Sequence, residues 1–254
     1  NEIRHFEQVR VALEDITELQ GKVNLVREYT DPTATEAGLD EQFARGEISK
    51  TEYKTGIKKL ATMVHEQEFQ YGGKRLKIRH AANHYYIPLM LTGEAERLDY
   101  IKHIVQEGSE VKFLNKLEAY LAKASNQFAK FDWWMFSKLD ESLDDIYIPY
   151  YDPTSNRAAA RFKPDFIFWL QKGNNYHIIF VDPKGVQNIG WTHKLEGYRR
   201  LFEDKGSTRT ILHGKTVVHI DALLYTDTLS QVPADYRRYW FDSIEGMIPC
   251  LFKG

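Results

Sequence analysis

Cys250 is the only cysteine in the 254 residues, so no disulfide can form within the chain. Cysteine use this sparse suits a reducing compartment, and a cytoplasmic location is the expectation. Long apolar runs are also missing. None approaches the ~20 residues that cross a bilayer, so no membrane association is expected. No positively charged start leads into an apolar core, which argues against a secretory signal. Nor is there an excess of charge of one sign. With 34 Lys and Arg against 36 Asp and Glu, the net charge of −2 excludes a protein that coats nucleic acid by bulk attraction. Any contact with DNA must come from local basic patches. Repeats, heptads and low-complexity tracts are absent. What remains is an ordinary globular composition, 43% hydrophobic and 28% charged, long enough for one large domain or a domain with an appendage. The first residue is Asn1 rather than Met, which points to a piece of a longer protein.

Residues 1–72 read as a helical appendage or a linker to an upstream domain. Phe6, Val9, Leu13, Ile16 and Leu19 recur at the spacing of one helical face, and Asp40–Phe69 again reads as helical. Residues 73–254 read as one mixed α/β domain. It opens on the basic cluster Lys74–His80, either a phosphate-touching strand or a charged edge strand. His80 and His84 read as structural or surface groups. Tyr85–Leu91 and Tyr100–Val105 read as strands. Ser109 then caps a helix whose buried stripe is Phe113, Leu114, Leu117, Tyr120 and Leu121. Glu110 projects from the centre of that stripe; it is either an inward carboxylate needing a partner or a first-turn acid favouring the helix dipole.

Phe131–Leu139 and Ile146–Tyr151 form aromatic strands, with Asp140, Glu141, Asp144 and Asp145 in a solvated loop between them. Thr192 caps a further helix running to about Asp204. Gly214-Lys215-Thr216 resembles the end of a phosphate-binding loop, but position 209 is Arg where that loop needs Gly. ILHGKTVVHIDALLY therefore reads as two strands around a turn, and no ATP site is expected in this chain. Pro233–Ile244 reads as a helix.

The stretch Arg161–Gly185 carries the chemistry. FIFWL and YHIIFV are strand-like runs joined by Lys172-Gly173-Asn174-Asn175. Gly173 and Asn174 suit the centre of a two-residue hairpin, with Gly supplying the positive φ. That turn pairs Lys172 with Asn175, and counting outward sets Asp165 opposite Asp182. Carboxylates opposed at this distance (Cβ atoms ~5 Å apart) repel unless a cation lies between them. Mg²⁺ suits such oxygen ligands, with Mn²⁺ as an alternative. Lys184, two residues past Asp182, would then stabilise a developing oxyanion or orient a water. Arg157, Arg161 and Lys163, just before Asp165, are the best DNA-backbone contacts in the chain, though Lys163 would equally balance nearby carboxylates.

Pro164-Asp165 followed by Asp182-Pro183-Lys184 resembles the PD-(D/E)XK nuclease signature. Together with HYYIPL (His84–Leu89), HIVQEGSEVKFLNKLEAYL (His103–Leu121) and WWMFSKLDESLDDIYIPYYD (Trp133–Asp152), the hairpin is similar to the C-terminal nuclease domain of type III restriction endonuclease Res subunits. The resemblance runs from His84 to about Tyr198. It implies a restriction-endonuclease-like mixed sheet flanked by helices and a Mg²⁺-dependent endonuclease cutting double-stranded DNA. Asp165, Asp182, the Pro183 carbonyl and Glu110 would hold the metal, and Lys184 would polarise water or phosphate. An upstream helicase-type ATPase and a methyltransferase subunit would be the partners. Asp182 stands where many such proteins have Glu, which leaves the preferred ion open. The rival expectation is a nuclease-like module that no longer cuts and serves DNA binding or assembly.

Overall fold

The structure is a computed structural model and describes residues 33–62, 64–71, 74–81, 84–86, 89–92, 104–141, 144–153, 160–183, 186–187 and 190–250. Within it the chain forms two compact units, residues 1–106 with 121–124, and residues 107–120 with 125–254.

The first unit begins with α1 (Thr33–Ala44) and α2 (Lys50–Thr62). A reciprocal capping box starts α2: Ser49 Oγ accepts the Glu52 N–H, and the Ser49 N–H donates to Glu52 Oε2. A four-stranded sheet follows, β1 (Val64–Tyr71), β2 (Lys74–Ala81), β3 (Leu89–Thr92) and β4 (Ile104–Val105), in that order. The helix expected to reach Phe69 stops at Thr62, because residues 64–71 have a strand partner that local periodicity does not reveal. Leu76 and Ile78 of β2 are fully buried, while Lys77 and Arg79 of β2 pair with Glu66 of β1 across the ladder. The basic cluster is thus an interior strand neutralised by its neighbour, rather than an edge. The first helix expected, over His5–Gln20, lies outside the described residues.

In the second unit α3 (Gly108–Leu121) precedes β5 (Trp133–Lys138). The hairpin β6 (Ile148–Tyr150) and β7 (Ala160–Phe162) comes next, then β8 (Phe166–Lys172) and β9 (Asn175–Asp182). After α4 (Trp191–Phe202) come a two-stranded ribbon of β10 (Glu203–Asp204) and β11 (Ser207–Thr208), and the pair β12 (Ile211–His213) and β13 (Thr216–Tyr225). The chain closes with β14 (Trp240–Phe241) and α5 (Ile244–Cys250). The main sheet has six strands, ordered β12-β13-β9-β8-β5 with β14 alongside β13. It is mixed, since β5, β8 and β9 form an antiparallel meander whereas β13 runs parallel to β9. A mixed sheet flanked by helices is the α/β architecture expected.

Phe113 of α3 fixes that helix on the sheet. Its ring meets Phe136, Phe166, Phe168, Tyr225 and Phe241 at centroid distances of 5.3–6.5 Å. Such tilted and edge-on pairs add to the burial of five other rings around one fully buried side chain. α4 approaches β6 so closely that a Cβ on Gly197 would lie 2.6 Å from the Pro149 carbonyl oxygen. Only glycine fits there.

The hairpin has the expected register, from Lys172↔Asn175 at the turn to Phe166↔Val181 at the open end. Gly173 has φ 58°, and Asp132 accepts its N–H, pinning the turn from the start of the neighbouring strand. Three local readings change. Ser109 lies inside the first turn of α3, whose backbone bonds begin with the Val111 N–H donating to Glu107. α4 starts after Gly190, not Thr192. Pro233–Ile244 is a 3₁₀ turn, Ala234–Tyr239, feeding β14, because Trp240 and Phe241 are captured by β13.

Candidate active site

Four elements deliver the site residues. Helix α3 contributes Glu110 from its first turn, and β5 ends at Lys138. Asp165 precedes β8, and Asp182 ends β9. The outermost pair of β8 and β9 leaves Asp165 opposite Asp182 at the next position outward. The Leu139 N–H donates to the Asp165 carbonyl at 2.8 Å, which carries the β5–β8 ladder to this point and sets Asp165 beside Lys138.

Lys138 closes the acidic pair. Its ammonium donates to Glu110 Oε1 at 2.9 Å and lies 3.5 Å from Asp165 Oδ1, over the Phe166 ring at 5.3 Å. Burial raises the Glu110 carboxyl to about 7; Lys138 opposes this, and the neighbouring Asp165 reinforces it. Burial also works against the charge of Lys138, but Asp165 and Glu110 outweigh it and hold the ammonium above the ordinary lysine value. Glu110 Oε2 is buried and has no hydrogen-bond partner among the described residues. Asp182 is 1% exposed, deeper than Asp165. Pro183 is buried after it.

The structure therefore brings Glu110 and Asp165 together and sets Asp182 at the adjoining strand end. Lys184 lies outside the described residues. Among those described, no three His, Cys, Asp or Glu side chains converge as a ready-made metal cage. The donor set nevertheless fits a hard divalent ion. It is all oxygen, and one buried carboxylate oxygen, Glu110 Oε2, waits for a partner.

The expected DNA contacts divide. Arg161 is exposed, its guanidinium 4.5 Å over the Tyr147 ring. Lys163 instead donates to the carbonyls of Glu141 and Asp144, tying down the loop beside the site. Arg157 lies outside the described residues. Asp144 departs from the solvated loop expected of it, being 2% exposed and accepting the Asp140 N–H at 2.6 Å. Tyr198 donates its hydroxyl to the Ile220 carbonyl, a packing role. Along α4 runs an open cleft of about 500 Å³ with Tyr151, His193, Arg200 and Lys205 in its lining, together with Glu196 and Glu203.

Lys138 is the site residue that sequence reasoning passed over. Its signal was present. A lysine ending a buried aromatic strand needs an acidic partner, and the register places it against Phe166, next to Asp165.

Fold and site define a mixed α/β domain with an acidic, lysine-braced cluster at the ends of its central strands. A family model described as the YagJ family matches residues 101–227, half of the chain and the stretch that holds every one of these residues. The chain belongs to the YagJ family. No curated protein and no solved structure matches it significantly. No helix among the described residues is long and apolar enough to cross a membrane.

Proposed function

We propose that this domain is a metal-dependent endonuclease that hydrolyses DNA phosphodiesters, with the restriction-endonuclease-like fold implied by its resemblance to type III Res subunits. The observation that carries the reading is the cluster of buried Glu110 and Lys138 with half-buried Asp165, which lies across the strand pair from Asp182. Carboxylates are costly to bury, and a fold that gathers them at the ends of its central strands has a use for them. The mixed sheet, with its β5–β8–β9 meander, parallel β13 and flanking α3 and α4, supports that reading at the level of architecture.

Glu110, Asp165, Asp182 and the Pro183 carbonyl would hold Mg²⁺ or Mn²⁺. When bound, such an ion supplies an activated water and neutralises charge on the phosphate. Glu110, raised to about 7, sits where it can hold or release a proton near neutral pH. The three-donor ammonium of Lys138 fixes the two acidic side chains against each other. Phe166 and Phe113 wall off water behind them. Lys184 keeps the role of polarising water or phosphate. Arg161 and the basic residues of the α4 cleft would meet the DNA backbone. An upstream ATPase and a methyltransferase subunit remain the proposed partners, and the cytoplasm the proposed location.

Cleavage of supercoiled plasmid with Mg²⁺ or Mn²⁺ tests the proposal. The intact chain should nick or linearise it, and Asp182→Ala should not. If neither ion supports cutting of any DNA form while binding persists, the domain is a DNA-holding module instead.

A further inference from the structure

Among the described residues, Lys138 is the only lysine or arginine that is buried. Two of its ammonium contacts go to carboxylates on different elements, Glu110 on α3 and Asp165 ahead of β8, and its remaining side faces the Phe166 ring. Its side chain is 9% exposed. A lysine ammonium is a compact charge on a flexible stem, with donors and no acceptor. It therefore satisfies a carboxylate pair in the way a small metal ion does, by occupying oxygen lone pairs. A divalent ion held by the same two carboxylates would compete with it for them. A divalent ion on that pair would set its two positive charges beside the ammonium, in a site where little water screens them.

We propose that Lys138 is the resident cation of the Glu110–Asp165 pair, displaced when a divalent metal binds. It is thus a positioning residue that keeps the acidic site assembled before metal arrives and sets the affinity with which metal enters. The inference rests on the metal-dependent reading of this site, and it concerns the charge of Lys138, which stays an ammonium throughout.

Calorimetric titration of Mn²⁺ into the intact chain tests it, comparing wild type with Lys138→Met and Lys138→Arg above the titration range of Glu110. Removing the competing charge should tighten Mn²⁺ binding in Lys138→Met by at least about tenfold, while Lys138→Arg stays near wild type. Binding in folded Lys138→Met that equals or falls below wild type overturns the inference. Should Lys138→Met fail to fold, amine acylation of the wild type read by mass spectrometry replaces it. Lys138 should resist labelling in chelator and become reactive with saturating Mn²⁺; unchanged labelling overturns the inference. If Mn²⁺ binds wild type but Lys138→Met binds it no tighter, the role of Lys138 alone falls. If neither protein binds Mn²⁺, the metal reading falls with it.

Discussion

Replacing Glu110 by Gln should remove a pH-dependent component of stability that the geometry makes large. Glu110 is 5% exposed, beside Asp165, and its carboxyl rises on folding from an ordinary 4.5 to about 7. A carboxyl that binds its proton more tightly when folded stabilises the fold in its protonated form. That contribution is complete below about 4.5 and disappears as pH climbs through about 7. The interval between the two values corresponds to roughly 3 kcal/mol from this one side chain. Glutamine keeps the shape and an acceptor for Lys138 but cannot ionise. Urea denaturation in chelator, repeated from pH 5 to pH 8 for both proteins, gives a difference curve in which titrating groups away from this cluster cancel. That difference should shift in favour of Glu110→Gln as pH rises, by an amount on the order of 2–3 kcal/mol. A flat difference would refute the argument, because it would mean that Glu110 ionises in the folded protein as freely as in the unfolded chain.

Other consequences are equally direct. Gly197→Ala should destabilise the protein by about 1–3 kcal/mol, since the new methyl would meet the Pro149 carbonyl and Tyr150 at 2.6 Å; an unchanged melting temperature would contradict the packing of α4 on β6. Phe113→Ala should cost about 3–5 kcal/mol in chemical denaturation, because the cavity opens among five rings that cannot all close in. His177, 4% exposed and stacked on His219 at 4.8 Å, is lowered to about 4, chiefly by burial. The unfolded chain binds that proton first, so stability should fall as pH drops from about 6.5 towards 4, by on the order of 2 kcal/mol, and His177→Leu should lose that slope.

How much of this was legible in the sequence differs from residue to residue. Gly173-Asn174 announced the turn, and period-2 counting from it yielded the full β8–β9 register, because tight turns and side-chain alternation are local rules. Glu110 was visible as a carboxylate on an apolar stripe, but its partner was not. Lys138 lies 28 residues away and joins Glu110 only because α3 packs on β5 and β8 through Phe113. The strand at Val64–Tyr71 was hidden for a similar reason: its Glu and Gln positions look helical until Lys77 and Arg79 face them across a ladder. Asp144, one of four acids in a polar stretch, gave no sign that its carboxylate would turn inward to the Asp140 amide. Trp240 and Phe241 continued a helical pattern and were taken instead by the parallel edge of β13. Local chemistry was readable; long-range pairing was not.

The central claim is that Glu110, Asp165 and Asp182 serve one divalent ion. Calorimetry of Mn²⁺ binding to wild type, Asp165→Asn and Asp182→Asn measures it most directly. Saturable binding in wild type, lost in each substituted protein while its fold is retained, is the result the account predicts. Binding that survives both substitutions, or that never occurs, would contradict it.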